Sequence, residues 1–363
     1  MAYINENYFK LKAGYLSRMF RVTRWPAFAA AVALIAMTGC DKKEGTASSS
    51  GPAPGKAPKL VYIPKNTGNP YFDPLIAGFK RAAEENGCEF ASVAPDTADA
   101  TSQIPFIQDQ IQRGVSVIAL SPNSPDALGP ILQRALDKGI SVVTVDSDLT
   151  GNEQYRNVSV LTVEPQTVGE SQVELLGSLT GYKGEFAILS ATTDAPNQNV
   201  WIEIMKKTLS ENPRYKNMRL VEIVYGNDDP QKSLTESEAL LTKHPALRGI
   251  IAPTTVGVAA AAQAVESAGK ADQVKVTGLG TPNQMRRFIK NGTVEAFALW
   301  SPEDQGYVAG QIAAGLAKKT LKPEVGAKFK VGSLGERMFK EKMTVIIGPP
   351  LTFNKDNIDQ FDF

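Results

Sequence analysis

The sequence predicts an α/β fold of two doubly wound parallel-sheet lobes, and three observations predict it. Short β-branched runs alternate with segments of helical period along the chain. The alternation then starts afresh, giving two similar units in succession. At 363 residues, 42% hydrophobic and 21% charged, the chain is long enough for about two domains and apolar enough to bury a core in each.

In the first unit the candidate strands are 60–63, 90–93, 115–120 and 140–145, rich in Val, Ile and Leu. Helix-period segments separate them at 74–86, 104–113 and 125–138, and Gly139 suits the left-handed position that closes the last. The second unit offers strands at 186–189, 218–224, 249–252, 274–277 and 296–299. Its helices are expected at about 199–211, 231–243, 257–268 and 282–291. Strands joined through helices make βαβ units, hence parallel sheets.

Ligands of open α/β sheets sit beyond the carboxyl ends of the strands, so the residues after each strand are the ones to read. In the first unit these are Pro64 to Phe72, Ser121-Pro122-Asn123 and Asp146-Ser147-Asp148. In the second they are Ser190 to Thr193 leading to Asn197-Gln198-Asn199-Val200-Trp201, then Pro253-Thr254-Thr255, Gly278 to Thr281, and Trp300. Amides, hydroxyls, carboxylates and aromatic rings recur there. A sugar needs that mixture: donors and acceptors for its hydroxyls and a ring face for its C–H surface. The same residue types also cap helices and close turns, so the constellation, not any member, carries the reading. Gly278 and Gly280 make half of a dinucleotide fingerprint whose third glycine is missing, and no GxxxxGK[ST] loop occurs.

Composition excludes other classes. Lys plus Arg number 39 against 38 Asp plus Glu, a near-neutral balance that gives polyanions such as nucleic acid no purchase. One histidine, His244, and two cysteines, Cys40 and Cys88, cannot assemble a Cys/His metal site and leave little for acid–base chemistry. No cofactor or metal is expected. An enzyme would have to rest on carboxylates; Asp146 and Asp148 are the nearest pair, and a carboxylate-based glycosidase is the rival reading. Cys88, at the end of a helix, is expected as a small buried hydrophobe.

The amino terminus reads as an export signal. Arg18, Arg21 and Arg24 precede an apolar run, 27–37, about half the ~20 residues that a bilayer core requires. Small residues and Cys40 follow. From 41 to 58 the sequence DKKEGTASSSGPAPGKAP has no large apolar residue with which to order itself. Met19 is an alternative start to Met1.

Met37-Thr38-Gly39-Cys40 resembles a bacterial lipobox, which implies acylation of Cys40, with 1–39 as signal peptide and 40–58 as lipid-anchored tether. The stretch from Leu60 to the end resembles the type I periplasmic sugar-binding proteins of ABC importers, the ribose-receptor-like family. The resemblance is carried by FAILSATT (186–193), NQNVWIE (197–203), APTTVGV (252–258) and TGLG (277–280), and it is strongest to rhamnose-binding receptors. A sister branch that binds autoinducer 2 has a lysine, an aspartate and a proline matched by Lys65, Asp146 and Pro253. That branch carries an Asp-Gln pair where this chain has Asn197-Gln198, which leans the reading to rhamnose.

The resemblance implies three crossovers between the lobes, the segments acting as a hinge. It assigns 59–162 plus 301–342 to the first lobe, including a helix at about 302–318, and 163–300 plus 343–363 to the second. Lys65, Asn69, Tyr71 and Phe72 would line the first side, with Tyr71 or Phe72 stacking on the ring and Asp146 and Asp148 accepting from hydroxyls. Asn197, Gln198, Asn199, Thr255 and Trp300 would close the second. The expected partners are a monosaccharide, an ABC permease or a signalling protein that reads the closed form, and the membrane through the anchor. The protein is expected to be a monomer on the periplasmic side of the cell membrane.

Overall fold

The computed structural model describes residues 57–363. The expected signal peptide (1–39), the lipid-accepting Cys40 and nearly all of the tether (40–58) lie outside the described residues. The first unit runs β1 (Lys59–Ile63), α1 (Phe72–Glu85), β2 (Glu89–Ser92), α2 (Ile104–Arg113), β3 (Val117–Leu120), α3 (Gly129–Asp137), β4 (Ser141–Val145), β5 (Val158–Leu161). The second runs α4 (Pro165–Thr180), β6 (Lys183–Ser190), α5 (Pro196–Glu211), β7 (Asn217–Tyr225), α6 (Pro230–Lys243), β8 (Leu247–Ala252), α7 (Thr255–Ser267), β9 (Lys275–Gly278), α8 (Pro282–Lys290), β10 (Ala296–Leu299). Then come α9 (Pro302–Ala317), β11 (Lys328–Lys330), β12 (Glu336–Met338), β13 (Thr344–Ile346) and β14 (Leu351–Asn354).

The first sheet has six strands in the order β2-β1-β3-β4-β5-β13, every pair parallel. The second repeats the winding with four, β7-β6-β8-β9, again parallel throughout. Helices cover both faces of such sheets, so their strands need continuous apolar runs instead of alternation. VIAL in β3 is buried at all four positions, and SVVTV in β4 at all but the first. In each sheet the strand order reverses beside the first strand of the unit, which places the ligand crevice at the exits of β1 and β3 and of β6 and β8.

Four differences from the sequence reading have local causes. β5 is only Val158-Ser159-Val160-Leu161, and it becomes a strand because β4 and β13 give it parallel partners on both sides. α4 carries glycines at 169 and 177, which lower its intrinsic helicity; burial of Val168, Val173 and Leu176 overrides that. β10 joins β14 in an antiparallel ribbon and meets the second sheet at the isolated Leu279–Ala298 bridge instead of extending it as a paired strand. β13 pairs with β5, so the chain's share of the first sheet runs to 346, past the boundary expected at 342.

The chain leaves the first sheet after β5, returns after β10, and crosses again after β13. On its return α9 settles against α1, close enough that a Cβ on Gly306 would lie 1.9 Å from the Leu75 carbonyl oxygen. Only glycine permits that approach. It matters because the residue before α1 is Tyr71 and the first turn of α9 brings Gln305 beneath it. Cys88 is a free, buried thiol among the apolar side chains of this region. Among the described residues no helix is long and apolar enough to cross a membrane.

Candidate functional site

The exits of β1, β4, β6, β7 and β8 converge on one cavity. Lys65 follows β1 and is 4% exposed; its ammonium donates to Asn197 Oδ1 at 2.9 Å. Asn197 sits in the first turn of α5 and donates from Nδ2 to Asp146 Oδ2 at 3.1 Å. The amide thus joins a cation and a carboxylate that both belong to the first sheet, while itself belonging to the second.

A parallel bridge runs through Asn69. It donates to Asp228 Oδ2 at 3.4 Å and accepts at Oδ1 from Thr255 Oγ1 at 2.7 Å and from the Tyr71 amide at 3.1 Å. Asp228 also accepts from Thr254 Oγ1. Both carboxylates stand on left-handed backbone, Asp146 at φ 69° and Asp228 at φ 52°. Asp tolerates that conformation better than most residues, and such strain clusters where side-chain direction matters for function.

Two buried carboxylates face one buried cation. Burial raises the pKa of Asp146, and the Lys65 charge pulls it back. Asp228 is raised for the same reason, with the Thr254 hydrogen bond and Lys65 opposing. Burial lowers Lys65, and the two aspartates resist that.

Aromatic rings form the other side. Tyr71 meets Phe72 edge-on at 5.2 Å and Trp300 edge-on at 6.4 Å, and Trp300 meets Trp201 at 5.9 Å. Trp300 Nε1 donates to Tyr71 Oη at 2.7 Å. Leu279 and Leu299 complete this wall. The space left between the walls is ≈ 40 Å³, room for a few waters, so a sugar enters only as the bridging side chains part. A larger depression of ≈ 460 Å³ beside α6 and α7, at Glu238, Leu241 and Ala264, has no comparable convergence of buried polar groups.

Of the expected residues, Lys65, Asn69, Tyr71, Phe72, Asp146, Asn197, Gln198, Thr255 and Trp300 line the cavity. Gln198 does so with its carbonyl engaged, accepting from Ser190 Oγ at 2.7 Å and the Ala191 amide at 2.8 Å. Asp148 does not line it. Its carboxylate is held by Arg156 at 2.7 and 2.6 Å and by Thr144 Oγ1 at 2.7 Å, a buried ion pair within the first unit. Asn199 is also elsewhere, tying down the preceding turn through Thr193 O at 2.7 Å. The sequence reading missed Asp228, which the same strand-exit rule finds once β7 is included, and Trp201, named there at a strand exit, also lines the cavity. Gly278, half of the apparent fingerprint, is explained by packing: a Cβ there would lie 1.9 Å from the Ala252 carbonyl oxygen.

A profile of the periplasmic binding protein domain matches residues 60–321. The D-ribose/D-allose-binding protein of Pseudomonas aeruginosa is 26% identical over 273 residues, covering 74% of this chain and 84% of the relative. Among solved structures, a sugar ABC transporter protein from Actinomyces odontolyticus is 43% identical with a TM-score of 0.68, covering 84% of this chain and 98% of that one. A solute-binding protein from Clostridium phytofermentans with bound L-rhamnose is 31% identical with a TM-score of 0.81 over the same shares. LsrB from Clostridium saccharobutylicum in complex with AI-2 is 25% identical with a TM-score of 0.78, covering 84% of this chain and all of that one, 100%.

Proposed function

The chain belongs to the periplasmic binding protein domain family, and on that premise we propose that it captures L-rhamnose for an ABC importer by closing two lobes on one sugar. The coarser role is the family's own: an extracytoplasmic, sugar-binding solute-binding protein of an ABC transporter, ribose/allose-like in kind. The observation that carries the finer reading is the Lys65–Asn197–Asp146 bridge facing an aromatic wall. Hydroxyls of a pyranose would take over the bonds that Asn197 now makes to both partners, while C–H surface lies on the rings. A ligand that touches both walls favours the closed form by its differential affinity for that form, and the closed surface is what a permease reads. The sugar is released unchanged.

Autoinducer 2 is the second reading, because Lys65, Asp146 and Pro253, which match that branch, all line the cavity. Asn197, where that branch has aspartate, favours the neutral pyranose. Calorimetric titration with L-rhamnose, D-ribose, L-fucose and autoinducer 2 separates them. L-Rhamnose is expected to bind most tightly and to raise the melting temperature, and a chain indifferent to all four refutes the receptor reading. In the same titration Asp146→Ala is expected to weaken rhamnose binding by about 1–3 kcal/mol, since ligand donors are left unpaired. Undiminished affinity would remove Asp146 from the site.

We further propose that acylated Cys40 anchors the exported protein and that 40–58 is its tether. Fractionation tests this directly: Cys40→Ala is expected to move the protein from membranes to the soluble fraction, and unchanged membrane association counts against the anchor.

A further inference from the structure

We propose that Tyr71 is a specificity-determining residue: by engaging the indole N–H of Trp300 it makes that corner of the cavity accept a methyl group and reject a hydroxyl. The inference rests on the receptor reading and names its substrate class, a sugar bearing methyl in place of hydroxymethyl.

The argument is one of hydrogen-bond direction. Gln305, fully buried in α9, donates from Nε2 to the Val160 carbonyl at 3.0 Å. A carbonyl only accepts, so this bond fixes the amide with Oε1 towards Tyr71. Tyr71 Oη donates there at 2.6 Å. With its proton directed away, the phenol oxygen accepts from Trp300 Nε1 at 2.7 Å. The Asp146 carboxylate stands near the same phenol as a second acceptor for its proton. Whichever acceptor takes that proton, the Trp300 N–H remains engaged by Tyr71.

What Trp300 offers the cavity is therefore ring surface. Leu299 precedes it, and Leu279 is held alongside by the bridge to Ala298. These groups are buried, Trp300 to 3% and Leu299 to 1% exposure, so once a sugar fills the cavity no water is left to supply the missing donor. A hydroxyl placed here loses its hydrogen bonds to water without replacement. A methyl in the same place gains burial. Hydroxyl recognition is left to the charged and amide side chains of the cavity, Lys65, Asp146, Asn197 and Asp228.

Two matched pairs test this with the full-length protein: L-rhamnose against L-mannose, and D-fucose against D-galactose, each differing by one hydroxyl on the exocyclic carbon. In the tighter-binding pair the methyl sugar is expected to be preferred by about ten- to hundredfold. Tyr71→Phe frees the indole N–H and is expected to lower that ratio by about three- to tenfold. Tyr71→Phe combined with Trp300→Phe removes the N–H again and is expected to restore it. A wild-type ratio at or below one, or the same ratio in Tyr71→Phe, overturns the proposal and leaves the receptor reading standing. Absence of binding to any sugar overturns both. Should Tyr71→Phe show no cooperative melting, Trp300→Phe alone decides: an unchanged ratio upholds the proposal, and a raised one, placing the N–H in contact with the ligand hydroxyl, overturns it.

Discussion

Asp148→Ala is expected to cost about 3–5 kcal/mol of folding stability, the penalty for stranding a buried charge whose partner has been removed. The stranded group is Arg156, whose side chain is 2% exposed and whose guanidinium binds both Asp148 oxygens and the Lys342 carbonyl at 2.6 Å. Those bonds tie the loop after β4 to the segment just before β13, on the same edge of the first sheet. The variant loses that tie and leaves a guanidinium away from water. Sugar affinity, by contrast, is expected to stay within about twofold, because the carboxylate lies outside the cavity. Urea unfolding and calorimetry on the same preparation check both halves. Lost affinity with unchanged stability would return Asp148 to the ligand.

The resemblance placed Asp148 with Asp146 at the ligand, and for both to reach it their side chains, two apart in sequence, would have to point the same way as on a strand. That inference needs strand geometry to persist, and it ends at Asp146, whose φ of 69° turns the chain. Direction after such a residue is set by partners, here Arg156, and a partner eight residues on leaves no periodic trace. Asp228 was hidden for a related reason. β7 is an edge strand, half-buried along most of its length, so its exit Asn227-Asp228-Asp229-Pro230 reads as a turn and helix cap. Asp229 is indeed the cap of α6, accepting from the Lys232 amide at 2.6 Å, while its neighbour Asp228 turns into the cavity. The central strands were legible because burial on both faces demands unbroken apolar runs. β5 and β13 were not, because each is too short to signal alone: β5 is held between β4 and β13, and β13 has its pairing from β5. The cavity's chemistry could be read from strand exits, whereas the direction of its hydrogen bonds, which decides what each wall can recognise, belongs to contacts such as Tyr71 with Gln305 that are distant in sequence.

Lys65→Met is expected to lower folding stability by about 3 kcal/mol at pH 7, to abolish detectable sugar binding, and to make stability depend on pH in a defined direction. In the wild type the Lys65 charge holds both carboxylates down against the effect of burial. Without it Asp146 and Asp228 retain only hydrogen bonds, and burial drives their folded-state pKa values further above those of the unfolded chain. A carboxyl raised in this way binds its proton in the folded protein before the unfolded chain does as pH falls. Between the raised and the ordinary value the native state therefore holds more protons, and stability rises with acidification. The stability gap between variant and wild type is thus expected to shrink between pH 7 and pH 5, in denaturant unfolding at the two values. A gap that stays constant or widens would mean that Lys65 supports the fold through its contact with Asn197 alone, and that the charges of Asp146 and Asp228 are balanced by something other than this ammonium.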